Sequence, residues 1–483
     1  MDIKVISKNV GHALLISALF MFLSLIVSVL NGKDSALGPL AISFIITFIV
    51  GIFPFIFVRK SAAISLQDGF MIIVLSWLLS FIFGMLPYVL WGGEFTLVNA
   101  WFESVSGYTT TGSTILTDVE GLPRSLLFWR SSTHFIGGLG VVVFLLLIIP
   151  DASPFRMRLT NIELSSLSRE GYRFRSIKTV HVIAFVYVGL AVAETLLLML
   201  AGMSFFDAVN HSFSTVATGG FSTRNASVAH FDSPLIDIII LVFMLLSSMH
   251  FGLLFGVFAT RSLKPFRHPV IKFFLGTFVV LSVMVTISLK VSGTYDGWGR
   301  ALLDSSFQVG SFLSTSGFAT ADNAAWPVFA NILLMYAVFQ CGCSGSTTGG
   351  VKSDRMYIAF KSIGRQIKHN LHPSSIMQIR VGNHFIKDDA AFAAILYIVL
   401  YTVVLIISFL LLTLCGVSVT EAFSGALSSL GNAGPALDSI SSMGNYSAQP
   451  ALAKLIYSAD MIFGRLEIYP VFIVMSLILR RAK

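Results

Sequence analysis

Phe102-Glu-Ser-Val-Ser-Gly-Tyr-Thr-Thr-Thr-Gly-Ser-Thr-Ile115 decides the fold, because weaker copies of it recur three times further along the chain, each between two long apolar segments. With Gly112, Gly220, Gly317 and Gly434 in one column, the preceding residues align without a gap. Two positions earlier stand Thr110, Thr218, Thr315 and Asn432; six earlier Ser106, Ser214, Ser311 and Ser428; thirteen earlier Asn99, Asp207, Asp304 and Glu421. The glycines lie 108, 97 and 117 residues apart. That period is longer than a solenoid repeat and leaves room for two membrane helices with a short segment between them.

The parts of one unit give its physics. Asn99, Asp207, Asp304 and Glu421 each open a run of about ten residues, well short of the roughly 20 that a spanning helix needs. Asn and Asp are good N-caps and an acid suits the positive end of the helix dipole, so each run is expected to be a re-entrant half-helix capped by that residue. Its C-terminal end delivers the chain into Thr-Thr-Gly-Ser or an equivalent, where glycine permits backbone conformations closed to other residues. Irregular backbone at membrane depth survives only when buried in protein or lining a wet cavity, and rings of carbonyls can replace the water around a cation. Four such loops make a filter, and the chain reads as a fourfold pore.

Composition agrees with a membrane protein: 55% hydrophobic, 12% charged and 43 Phe in 483 residues, with mean hydropathy +0.83. The net charge of +8 does not imply nucleic acid, because 24 of the 32 Lys and Arg fall in six segments: the N-terminus, 58–68, 151–178, 261–272, 352–387 and the tail. Those segments alternate with ten crossings, so the positive-inside rule puts both termini in the cytoplasm and the filters at the opposite face. The apolar stretch 10–30 has no convincing cleavage site after it and is read as a retained helix; with 37–58 it forms a hairpin outside the repeats. The expected divisions are 1–66 for this hairpin, then pore repeats at 67–160, 161–262, 263–370 and 371–483.

Two further features sit inside apolar helices. Cys341-Gly-Cys-Ser-Gly-Ser-Thr-Thr-Gly-Gly350 interrupts the run from Val328 to Phe360, and so many small polar residues belong at a pore rather than in lipid. A phosphate-binding loop is a poor alternative, since Val351 separates Gly350 from Lys352 and an apolar helix precedes the motif where a strand is required. Arg465 lies within the last spanning helix, where a charge costs at least about 2.5–3.5 kcal/mol and marks a functional site by default. Glu467 is two residues away, and such pairs do not face each other, so Arg465 is expected to project alone into the aqueous path. Interhelical pairing is expected for Arg130 and Glu194. His134, His181 and His250 read as hydrogen-bonded core residues, and Cys341, Cys343 and Cys415 as free thiols. No paired carboxylates, nucleophile motif or metal-ligand spacing stands out, so no enzyme is expected.

At the four glycines, the broken helix and Arg465, the chain resembles the Trk/Ktr/HKT superfamily of potassium transporters over nearly its whole length, and its N-terminal hairpin is similar to that of the Trk-type membrane subunit. The resemblance implies an all-α polytopic membrane protein with four helix–pore loop–helix repeats, potassium-channel-like, around a central pore. It implies a K⁺ selectivity filter formed by Thr110, Thr111 and Gly112; Thr218, Gly219 and Gly220; Thr315, Ser316 and Gly317; and Asn432, Ala433 and Gly434. The fourth loop departs most, having Asn432 where the others have Thr. A gate is implied at Cys343, Gly345, Ser346, Thr347, Thr348, Gly349 and Gly350 together with Arg465, with Cys341-Gly-Cys in place of the more usual Gly-Gly-Cys. The implied setting is a homodimer in the lipid of a bacterial inner membrane, bearing a cytosolic ring of nucleotide-binding, TrkA-like regulatory subunits. The expected function is K⁺ uptake, with K⁺ as the transported ion and no cofactor. An H⁺- or Na⁺-coupled K⁺ symporter and a non-conducting membrane scaffold or sensor stay open as alternatives.

Overall fold

The structure is a computed structural model that describes residues 2–58, 65–140, 176–374, 377–382 and 384–481. The part of pore repeat 1 beyond residue 140, most of the basic segment 151–178, the basic pair Arg59 and Lys60, and Lys483 lie outside the described residues.

Four units of outer helix, pore helix and inner helix follow a helical hairpin, Ile3–Leu30 and Leu37–Phe57. The outer helices are Leu66–Gly84 continued by Leu86–Trp91, then Ser176–Leu200, Pro269–Val291 and Asp388–Leu414. The pore helices are Leu97–Tyr108, Phe205–Ala217, Trp298–Leu313 and Val419–Gly431, lengths of about 18–24 Å that stop short of a hydrocarbon core of about 30 Å. Their inward faces are fully buried, for example Phe102, Ala208, Phe307 and Ala426. Lipid-sized side chains are instead exposed along the outer helices and the hairpin, among them Phe48, Phe53, Val192, Val280 and Leu410.

Small residues let the hairpin helices approach closely: a Cβ on Gly11 would stand 2.6 Å from the carbonyl oxygen of Gly51, the packing that small residues permit between membrane helices. The hairpin is tied to repeat 1 by Asp34, whose carboxylate accepts from Ser28 Oγ at 2.6 Å and from Ser125 N at 3.1 Å. Tyr108, at the end of the first pore helix, donates to Ser17 Oγ at 2.9 Å.

Among the described residues, six helices are long and apolar enough to cross a membrane, and a seventh span is bent by 107° between Pro234–Ser247 and Phe251–Val257. Of the inner helices, the first is described only as far as residue 140, and the other three are broken. The sequence points to a break only in repeat 3, between Val328–Gln340 and Ser353–Leu371, yet repeat 2 also breaks at Ser248 to His250 and repeat 4 between Ala451–Arg465 and Tyr469–Arg481. The last break runs through Glu467 and Ile468, at φ 54° and 58°, a conformation rare for a β-branched residue. One further exception to an all-helical fold is a small antiparallel hairpin, Ile379–Val381 with His384–Ile386, whose Ile379 packs with Ile358, Ala391 and Ala394.

The column thirteen residues before the glycines has a different role from the expected N-cap. The caps are Thr96, Ser204 and Ser418, which accept from the backbone N–H of Asn99, Asp207 and Glu421, while Gly297 precedes the third pore helix. Asn99, Asp207 and Glu421 are thus third-position residues of a Ser/Thr-x-x-acid type cap, and Asp304 lies deeper in its helix. Asp207, Asp304 and Glu421 spend their carboxylates on the strand that follows each pore loop: Thr223 Oγ1 donates to Asp207 at 2.6 Å, Thr320 Oγ1 to Asp304 at 3.0 Å, and Ser439 N to Glu421 at 3.3 Å.

Candidate functional site

Each pore helix ends in the same way. Thr110, Thr218, Thr315 and Asn432 are left-handed, at φ 54°, 57°, 56° and 53°. The next residue's N–H returns to the serine carbonyl five residues back: Thr111 to Ser106, Gly219 to Ser214, Ser316 to Ser311 and Ala433 to Ser428, at 2.8–2.9 Å. The left-handed residues themselves donate to Gly107, Thr215, Phe312 and Ser429. This is the paired-bond helix stop that glycine usually supplies. Threonine or asparagine there costs about 1–2 kcal/mol of backbone strain per residue, and its fourfold recurrence points to a turn held for a purpose.

Two residues on, Gly112, Gly220, Gly317 and Gly434 are at φ 81°, 78°, 78° and 93°. A Cβ on Gly112 would collide with the carbonyl oxygen of Gly219, one on Gly220 with that of Ser316, one on Gly317 with that of Ala433, and one on Gly434 with that of Thr111. The contacts close a ring in the order one, two, three, four, one. All four glycines line one cavity that opens upward past Arg130 and Arg224. Near its rim Asp118 accepts from Asn225 Nδ2 at 2.8 Å, and this hydrogen bond holds the Asp118 carboxyl below the usual carboxylate range.

Side chains brace the ring from behind. Ser106 Oγ and Ser311 Oγ donate to the carbonyls of Ser113 and Phe318, each at 2.6 Å. Nine residues before the glycines stand Glu103, His211, Gln308 and Gly425. The first three reach the ascending strands at Thr114 and Ile115, at Ser222, and at the carbonyl of Ala321. The fourth repeat differs: Tyr446 OH and Ser113 Oγ donate to the Gly434 carbonyl at 3.0 and 3.3 Å. Asn432 Nδ2 donates to Thr111 Oγ1 at 3.1 Å and to the Met461 carbonyl at 2.9 Å.

Beneath the ring, residues 341–352 are all buried. Left-handed turns at Cys341, Gly345, Gly350 and Lys352 fold the segment into a loop that touches the glycine ring's own turns and the helix breaks. Gly349 N donates to Thr315 Oγ1 at 3.4 Å, and a Cβ on Gly349 would sit 2.6 Å from Asn432 Oδ1. Thr347 Oγ1 donates to the Val216 carbonyl at 3.1 Å. Cys343 N donates to the Ser248 carbonyl at 2.8 Å, and Phe251 N to the Gly345 carbonyl at 3.1 Å, so the loop pairs with the break in repeat 2. Ser346 Oγ bonds the Cys343 carbonyl at 2.6 Å and meets Thr348 Oγ1 at 2.8 Å.

Arg465 does not project alone. Its guanidinium donates to the Thr347 carbonyl at 2.5 Å and to the Gly137 carbonyl at 2.7 Å, linking the loop of repeat 3 to the inner helices of repeats 4 and 1. A planar fork of donors suits two carbonyls presented together. Glu467, facing away as its spacing requires, pairs with Arg355 at 2.5 Å, and Arg355 also lies 3.9 Å from the Tyr397 ring centroid. Lys352, buried, donates Nζ to the Thr348 carbonyl. The sequence reading counts Lys352 with the basic cytoplasmic segment 352–387, whereas the structure buries it in the loop; a lysine inside an apolar run was the signal that could have found it. The stretch follows helix Val328–Gln340, and its ammonium is committed to the loop itself.

The remaining residues fall as follows. Arg130 pairs across helices with Glu103 at 2.8 Å. Glu194 does not make the expected pair: its fully buried carboxyl oxygens have no hydrogen-bond partner among the described residues. Thr215 of the facing pore helix lies beside it, with its hydroxyl donated to the His211 carbonyl at 2.8 Å. His134 stacks on Phe221 with centroids 4.0 Å apart, and His250 accepts from Gly252 N at 3.0 Å as a helix cap; the His181 side chain lies outside the described residues. Cys341, Cys343 and Cys415 are free thiols, and no group of three or more His, Cys, Asp and Glu among the described residues could hold a metal.

Comparison with known proteins agrees with this architecture. The sequence model of the TrkH family, described as "Cation transport protein", matches residues 39–483. The Trk system potassium uptake protein TrkH of Salmonella typhimurium is 37% identical over 421 residues, covering 86% of this chain and 87% of that one. The TrkH protein of Halomonas elongata is 33% identical across 99% of both chains. The crystal structure of the potassium transporter TrkH from Vibrio parahaemolyticus superimposes with a TM-score of 0.88 at 31% identity, covering 98% of each chain. Four pore loops closed into a ring above a glycine-rich break thus sit on a chain that belongs to the TrkH family of cation transport proteins.

Proposed function

We propose that this protein takes up K⁺ across the bacterial inner membrane, through a filter formed by the four loops and past a gate formed by the glycine-rich loop. The observation that carries the reading is the ring itself: four left-handed glycines, each packed on the backbone carbonyl of the next repeat. The ion enters the cavity above Gly112, Gly220, Gly317 and Gly434 and exchanges water for carbonyls of the residues from Thr110, Thr218, Thr315 and Asn432 upward. The fourth loop contributes least, because the Gly434 carbonyl already accepts from Tyr446 and Ser113. A membrane potential supplies about 2.3 kcal/mol per charge per 100 mV, enough to drive accumulation without a chemical step. The protein acts as a transporter and performs no catalysis.

The loop is shut in this conformation, buried beneath the filter and held by the Arg465 and Lys352 cations. Helix Ser353–Leu371 continues directly from it into the basic stretch 361–387 assigned to the cytoplasm, so a force on that helix is transmitted to the loop. This is the lever for a cytosolic nucleotide-binding ring of regulatory subunits acting on a homodimer, with both termini on the same side.

Rb⁺ uptake into proteoliposomes holding this protein alone, with K⁺ and Na⁺ as competitors, tests the reading. K⁺ competes and Na⁺ does so weakly. Lys352→Met removes one charge-assisted hydrogen bond from the shut loop, about 1.5–3 kcal/mol in general, and raises uptake by about tenfold. An unchanged rate would remove Lys352 from the gate; absence of K⁺-sensitive uptake in any variant would overturn the transport assignment.

A further inference from the structure

We propose that the buried pair Glu103–Arg130 is a selectivity strut: it fixes the outward strands of filter loops 1 and 2 in one geometry and so sets the discrimination of K⁺ from Na⁺. The inference rests on the reading of these loops as a K⁺ filter.

The pair is 0% and 2% exposed, and its hydrogen bonds go to the two filter strands. Glu103, on the first pore helix, accepts from Thr114 Oγ1 at 3.0 and 3.1 Å and from Ile115 N at 3.1 Å. Arg130, on the first inner helix, donates Nε to Glu103 at 2.8 Å, Nη2 to Thr114 Oγ1 at 3.3 Å and Nη1 to the Ser222 carbonyl at 3.4 Å. Its guanidinium also lies 4.0 Å from the centroid of Phe221, the residue after the second filter glycine. One carboxylate therefore holds the strand above Gly112, and the arginine it neutralises reaches across to the strand above Gly220. The planar fork of Arg makes that span; the single ammonium of Lys has no equivalent set of directions.

Among the described residues, a fully buried strut of this kind stands at one corner. In the Glu103 column the other repeats carry His211, Gln308 and Gly425, and the contacts of His211 and Gln308 to the ascending strands stay within their own repeats. Asp207, Asp304 and Glu421 also hold rising strands, but each within its own repeat, whereas the Glu103–Arg130 pair reaches from the first loop to the second.

Location in the outer mouth gives the pair a second, separable effect. Arg130 lines the cavity above the filter, so neutralising Glu103 leaves an uncompensated positive charge there. Such a charge repels K⁺ and Na⁺ equally, since both are monovalent, and slows uptake without altering their ratio. Loss of the strut frees the carbonyl spacing and alters the ratio. The two effects are read from one experiment.

The test is Rb⁺ uptake in proteoliposomes with K⁺ and Na⁺ titrated as competitors, for wild type, Glu103→Gln, Arg130→Lys and the neutral pair Glu103→Gln/Arg130→Gln. The expected result is that the Na⁺ to K⁺ ratio of half-inhibiting concentrations falls by fivefold or more in both single variants, with a smaller fall in the neutral pair, which keeps hydrogen-bonding groups without a bare charge. Should Glu103→Gln not give folded protein, Arg130→Lys carries the same expectation with the charge retained. A ratio equal to wild type in a transporting variant overturns the strut, whatever happens to the rate. Wild type that transports no K⁺ overturns the filter reading, and the strut with it.

Discussion

Arg465→Ala is expected to raise K⁺ uptake by the isolated protein about 30-fold or more, the largest gain of any single substitution in this chain. The guanidinium makes two charge-assisted bonds, to Thr347 on the loop and to Gly137 on the first inner helix. Each such bond contributes about 1.5–3 kcal/mol in general, and a loss of about 2 kcal/mol from the shut state alone shifts a two-state gate by about 30-fold. Removing a cation from the pathway also lowers the electrostatic barrier to the next one. Arg465→Lys keeps the charge and loses the fork, and falls between wild type and alanine. The check is the initial rate of Rb⁺ uptake in vesicles of matched protein content; a rate at or below wild type for Arg465→Ala contradicts the assignment of Arg465 to the gate.

Gly220→Ala is expected to have the opposite effect, with K⁺ uptake falling about 100-fold. The added Cβ meets the Ser316 carbonyl oxygen, an atom of the ring itself that has no flexible side chain to yield. Overpacking costs of up to about 3 kcal/mol, on top of φ strain, correspond to a loss of that size. Gly189→Ala serves as the control: Gly189 lies on the outer helix Ser176–Leu200 with open space where its Cβ would go, and its substitution leaves uptake unchanged. Equal uptake in the Gly220 and Gly189 variants would show that the glycine column does not form the conduction path.

The columns of glycine, threonine and serine were legible because they serve the backbone. A left-handed cap and a left-handed glycine restrict residue type in every repeat, and the serine hydroxyl that donates to the rising strand does so in repeats 1 and 3, so the pattern survives where the rest of the sequence has diverged. The column of Asn99, Asp207, Asp304 and Glu421 was visible but misread as N-caps, because an acid at the third helical position resembles one at the cap until the position of Ser204 or Ser418 is known. The column of Glu103, His211, Gln308 and Gly425 was not legible: the first three, chemically different, brace a strand by different contacts, and Gly425 has no side chain with which to do so.

The breaks in the inner helices divide the same way. Repeat 3 announces its break with six glycines and serines between Gly342 and Gly350, whereas Ser248 to His250 and Leu466 to Ile468 contain neither glycine nor proline. The break in repeat 4 is followed by Pro470, which has no N–H to carry the helix across it, whereas the break in repeat 2 rests on the loop packed against it, through the Ser248 carbonyl. Tertiary contact of that kind leaves no local mark. The charges followed suit: Arg465 was conspicuous as a lone cation in an apolar helix, but its two carbonyl partners, and the partnership of Glu467 with Arg355, depend on which helices meet.

The most direct test is the reversal potential of the current through the Arg465→Ala protein in a planar bilayer, with K⁺ at unequal concentrations on the two sides and Na⁺ making up the difference. The account predicts reversal close to the K⁺ equilibrium potential, insensitive to an added pH gradient. Reversal near zero would contradict a K⁺-selective filter, and reversal that moves with the proton or Na⁺ gradient would contradict uncoupled passage through the ring.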